Sequence, residues 1–100
     1  MTREEIIEKL KAMEPELRAR GITRMRMFGS RARGDARPDS DLDLLVDVDP
    51  DARFSLIDLS DVHLDLTEAL GVETQVTENW DGMKPRFRRE IASDLVTVFE

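Results

Sequence analysis

The sequence predicts an α+β domain, close to α/β in its element order, built as a small mixed β-sheet flanked by helices. Three observations predict it. Apolar residues recur at helical spacing over 3–13 and 55–70. They alternate with polar residues over 23–28 and 41–48, as in half-buried strands. Gly, Pro and Asn punctuate the gaps, giving the order α-β-β-α-β-α-β. One hundred residues form a single domain spanning 1–100, with one core.

Each element has its own warrant. Residues 3–13 carry Ile6, Ile7, Leu10 and Met13 on one helical face. Pro15 stops or kinks that helix, and Pro-Glu-Leu-Arg starts a short second turn that ends at Gly21. In 23–28, Met25 and Met27 alternate with Arg24 and Arg26 as core positions, and Phe28 closes the strand. Residues 29–40 are a loop or helical turn rich in Gly, Ser, Arg and Pro. A second strand, 41–48, ends at Asp49-Pro50-Asp51.

The helix over 55–70 is capped by Ser55 with Asp58, a variant of the capping box, and stops at Gly71. Its apolar stripe is Leu56, Leu59, Val62, Leu66 and Leu70. A third strand covers 72–77, a loop around Trp80 covers 78–84, and Pro85 opens a helix over 85–93. Leu95 to Phe99 forms a terminal strand or extended tail. Trp80 is expected to plug the end of the core. His63 reads as a surface or partly buried residue, and Arg86, Arg88 and Arg89 as a solvated helix face.

Composition excludes several classes of function. Without cysteine there are no disulfides, thiol nucleophiles or thiolate metal sites. No apolar run reaches membrane-spanning length, and the charged N-terminal residues lack a signal-peptide core, so a cytoplasmic protein is expected. A net charge of −7 argues against direct nucleic-acid binding. The charge is also banded: Arg18 to Arg37 holds seven arginines and one acid, whereas Asp39 to Asp51 holds six aspartates and no base. Such bands suit a site holding phosphate and a divalent cation, and equally suit two solvated faces.

The chemistry-bearing stretch runs from Gly29 to Val46. Glycine after a strand lets a ligand approach the backbone, and Ser30 supplies a hydroxyl and an N–H at the start of a helical turn. Arg31 and Arg33 stand ready to pair with phosphate oxygens. Asp41 and Asp43, two apart on a strand, share a face with Cα atoms roughly 6.6 Å apart. Both can converge on magnesium, an oxygen-seeking cation usually held by one or two carboxylates plus substrate phosphates. Each half has a bland alternative, a structural turn for Gly-Ser and a charged edge strand for Asp-x-Asp. Joined at a separation of eleven residues, they make a compact metal–triphosphate site.

Gly29-Ser30-x-Ala32-Arg33-Gly34 followed by Ser40-Asp41-x-Asp43-Leu44-x-Val46 resembles the minimal nucleotidyltransferases of polymerase-β-like fold, antitoxins of HEPN–MNT toxin–antitoxin modules. Similarity extends to Phe54–Leu59, Leu70-Gly71-Val72-Glu73 and Lys84-Pro85-Arg86. The resemblance implies ATP as substrate and one or two Mg2+ ions on Asp41 and Asp43. It implies nucleotide contacts from Gly29, Ser30, Arg33 and Ser40, and AMP transfer to a tyrosine hydroxyl of a HEPN toxin. The family's third carboxylate falls at Gln75 here. Glu73, two residues earlier, is the candidate substitute; otherwise the chain neutralises its toxin by binding alone.

Overall fold

The computed structural model describes residues 1–100. Five helices and four strands follow in the order α1 (Arg3–Ala12), α2 (Glu14–Ala19), β1 (Ile22–Phe28), α3 (Gly29–Arg33), β2 (Leu42–Val48), α4 (Leu56–Leu70), β3 (Thr74–Glu78), α5 (Pro85–Ala92) and β4 (Val96–Phe99). The strands form one mixed sheet in the order β3-β2-β1-β4. β1 runs antiparallel to β2 and β4, while β2 and β3 are parallel and joined through α4. This is the small mixed sheet that the sequence predicts.

Local chemistry accounts for the boundaries. Thr2 and Glu5 close a reciprocal capping box at the start of α1. Ser55 and Asp58 do the same for α4 as predicted, and Gly71 ends α4 in the left-handed conformation. The hydrogen bonds that Asp58 accepts from Ser55 hold its carboxyl below the usual carboxylate range. Pro85 opens α5, where its missing N–H costs nothing.

Alternation along β2 sorts the sheet into two faces. Leu42, Leu44 and Val46 point to the side covered by α1, α2 and α4, where they pack with Leu10, Met27 and Leu66. Leu45 points to the other side and joins a smaller cluster with Phe28, Met83 and Ile91 of α5. Phe28 and Phe87 meet edge to face, their centroids 5.8 Å apart. Leu66 is fully buried at the centre of α4. Leu66→Ala is therefore expected to destabilise the fold by about 2–5 kcal/mol, read from the shift of a urea unfolding midpoint.

Three expectations need correction. Leu56 lies outside the buried stripe of α4: it is 84% exposed in the first turn, whereas Val62, Leu66 and Leu70 further along are buried. Trp80 does not plug the core. It is 60% exposed, its ring lying over Gly82, and Met83 takes the buried place beside Leu45. The strand expected from Asp41 begins at Leu42, so Asp41 is the residue that delivers the chain into β2.

Candidate functional site

The site is built where β1 ends and β2 begins. Phe28 and Asp43 are register partners across the antiparallel pair, so the first residue of α3, Gly29, follows directly beside the Asp43 side chain. Gly29 has φ +77°, and a Cβ there would collide with Asp43 Oδ2 and lie 3.3 Å from its Cγ. Only glycine satisfies both the backbone and the contact. No side chain caps the opening turn of α3, and Gly34 closes its far end in the left-handed conformation.

Burial pushes the pKa of Asp43 above its ordinary value, and the nearby charge of Asp41 pushes it further; Arg33 partly offsets both. Two carboxylates that repel one another in a half-buried mouth lower each other's charge cost by sharing a cation. No third acid or histidine joins them, and no group of three such side chains placed to hold a metal exists anywhere in the chain. A metal here would complete its shell with phosphate oxygens and water, as magnesium commonly does.

The flanking residues fall as follows. Arg33 donates to Asp35 at 3.2 Å and Asp94 at 2.8 Å, and these carboxylates raise its pKa. The Ser40 hydroxyl accepts the Arg37 N–H at 2.9 Å, which shapes the loop leading into Asp41. Gln75 stands beside Asp43 in the parallel β2–β3 register. A neutral amide thus occupies the β3 position paired with Asp43.

Glu73 is not gathered with the aspartates. Parity with Gln75 predicts a shared face, but β3 begins at Thr74 and the Glu73 side chain turns toward α4, although its carbonyl accepts the Leu42 N–H at 2.8 Å. The Glu73 carboxylate instead meets His63 Nε2 of α4 at 3.0 Å.

Arg31 also departs from expectation. It is buried, and its guanidinium donates to the carbonyls of Ser40 at 2.9 Å and Pro38 at 3.3 Å. A phosphate cannot take those donors without releasing the loop. Arg31 thereby ties α3 to the residue preceding Asp41, holding the two halves of the site together. Nothing in the local pattern distinguishes it from Arg33, since its burial depends on the loop folding back.

The charge bands are partly self-compensating. Arg24 and Asp47 are register partners and pair at 2.7 Å, with Asn79 donating to Asp47 at 3.1 Å. Asp49 accepts the Asp51 N–H, closing the turn after β2. Of the acidic run, Asp43 is the member seated against α3, at Gly29, and the charge of Asp41 acts on it.

The chain matches the nucleotidyltransferase domain over residues 3–98. It belongs to that family. This nucleotidyltransferase is 33% identical over 84 residues to a provisionally named protein adenylyltransferase of Methanocaldococcus jannaschii, covering 84% of the chain and 87% of the relative. It is 50% identical over 48 residues to the protein adenylyltransferase MntA of Thermococcus cleftensis, covering 47% of the chain and 48% of the relative.

Among solved structures, one provisionally described as a minimal nucleotidyltransferase superposes with TM-score 0.78 at 34% identity, covering 96% of this chain and 95% of that one. The fold is also shared, with TM-score 0.68 at 13% identity, by a chain in the complex of a tri-AMPylated Shewanella oneidensis HEPN toxin with an MNT antitoxin; 98% of this chain and 72% of that chain are covered. No helix is long and apolar enough to cross a membrane.

Proposed function

We propose that this minimal nucleotidyltransferase is an antitoxin that transfers AMP from magnesium–ATP to a tyrosine hydroxyl of a HEPN-family toxin in the cytoplasm. The observation that carries the reading is Asp43 seated against Gly29 at the start of α3, with the charge of Asp41 acting on it and its pKa raised. The names of the relatives, and the AMP on the toxin of the Shewanella complex, support the same reaction class.

In this reading Gly29 and Ser30 hold the triphosphate tail, flanked by Arg33 and Ser40. Asp41 and Asp43 hold one or two magnesium ions, which when bound neutralise phosphate charge and favour in-line displacement. The tyrosine oxygen bonds to the α-phosphorus as the bond to the bridging oxygen breaks, the hydroxyl proton is lost, and pyrophosphate leaves. The chain's own contribution is positioning: α3, braced by Arg31, and β2 fix nucleotide and metal relative to the acceptor.

A second reading is favoured by Gln75 and by the engagement of Glu73 with His63. Without a third carboxylate, the chain neutralises its partner by occupancy alone. Intact mass spectrometry of the partner co-purified with the native chain and with Gln75→Asp separates the two. A partner carrying AMP from the native chain supports transfer. An unmodified partner with the native chain, gaining AMP only with Gln75→Asp, supports occupancy. A partner never modified by either chain overturns the transferase reading.

A further inference from the structure

A rear cavity, of about 720 Å³, opens between α1, the end of α4 and the stretch from Arg33 to Pro38. Ile6, Leu70 and Val72 line it, and they belong to or pack against the core that β2 shares with α1 and α4. Of the residues assigned to the nucleotide, Arg33 alone contributes to its wall; Gly29, Ser30, Ser40, Asp41 and Asp43 do not, nor does Gln75. Five cationic side chains do, against the single acid Glu4. In a chain of net charge −7, that is a local concentration of positive charge rather than a reflection of composition.

Three of the five are already committed. Arg31 bonds loop carbonyls, Arg33 pairs with Asp35 and Asp94, and Arg3 donates to the Ala32 carbonyl at 2.8 Å. The side chains of Lys9 and Arg37 enter no ion pair. The α1 N-terminus is not the attraction, because Thr2 and Glu5 already cap it.

We propose that this cavity is a second ligand site, which takes a phosphate ester of mononucleotide size. Lys9 and Arg37 receive the phosphate, and the apolar body lies over Ile6, Leu70 and Val72. The volume falls within the range of small-molecule sites, and half-buried Val72, backed by the buried Ile6 and Leu70, gives an apolar strip that suits a base or similar body better than a bare anion. The ligand would touch the Gly34–Pro38 loop, whose far end Arg31 ties to the residue before Asp41. Occupancy of the rear cavity would therefore bear on the front site. The binding itself does not rest on the proposed transfer activity.

The two sites differ in their need for metal. Two ionised aspartates repel a phosphate until a cation neutralises them, whereas the rear cavity attracts it unaided. Calorimetric titration of the full chain with AMP in the presence of EDTA is expected to show one binding site. Lys9→Glu/Arg37→Glu should weaken it at least about tenfold, with Lys9→Gln/Arg37→Gln intermediate. Asp41→Asn/Asp43→Asn should leave it unchanged, while removing any additional binding of ATP that magnesium confers.

Absence of metal-free AMP binding, or binding indifferent to both Lys9/Arg37 pairs, would overturn the proposal. So would inorganic phosphate or tripolyphosphate binding more tightly than AMP, which would mark a simple anion patch. Loss of the magnesium-dependent binding alone bears on the front site and leaves the rear one standing.

Discussion

Asp43→Asn is expected to abolish magnesium-dependent nucleotide binding and AMP transfer, by at least about 10²-fold, while making the fold slightly more stable. The replacement is isosteric, so the contact with Gly29 survives in shape. The linkage fixes the sign of the stability change. The folded-state pKa of Asp43 lies above its ordinary 3.8, through burial first and the charge of Asp41 second. The ionised group therefore costs stability at every pH above that raised value, and the cost disappears below 3.8. An uncharged amide removes the cost at neutral pH. The expected readout is a melting point above that of the native chain.

A thermal melt beside a nucleotide titration checks both halves of the prediction. Loss of binding with a lower melting point would make Asp43 a structural residue instead. The same shift sets the pH response of the native chain. As pH falls, Asp43 takes up its proton before an ordinary carboxylate would, so magnesium–ATP affinity should begin to fall at a correspondingly higher pH.

What the sequence discloses about this fold is local and chemical. Ser55 with Asp58 and then Gly71 bracket α4, and Pro85 marks the start of α5, because caps and breakers act within a few residues of where they stand. Alternation places Asp43 opposite the core-facing Leu42 and Leu44, and the structure agrees. What fails are inferences that depend on distant contacts. Parity carried to Glu73 overruns the strand, and His63, ten residues back on α4, takes its carboxylate. Arg31 and Arg33 look alike in sequence, yet the loop closing over α3 buries one and leaves the other exposed. Leu56 falls at the margin of the stripe that Val62, Leu66 and Leu70 bury, and nothing packs over it there.

Gly29→Ala should damage the fold and nucleotide binding together, and its effect can be divided into two causes by comparison with Gly71→Ala. Both glycines hold positive φ, +77° at Gly29 and +71° at Gly71. A non-glycine residue in that region costs about 1–3 kcal/mol of backbone strain. At Gly71 a Cβ meets nothing within 4 Å, so strain is the whole penalty. At Gly29 the Cβ would occupy the place of the Asp43 carboxylate, as close as 3.3 Å to its Cγ. The side chain must swing away or the α3 turn must retreat, and either movement parts the aspartate from the phosphate-binding turn. Gly71→Ala is therefore expected to lower the melting point by about 4–8 °C per kcal/mol lost and to leave magnesium–ATP affinity unchanged. Gly29→Ala should lower it at least as far and also lose that affinity. Equal nucleotide affinity in the two variants, each measured well below its own melting point, would mean that Asp43 and the α3 turn do not act on a common ligand.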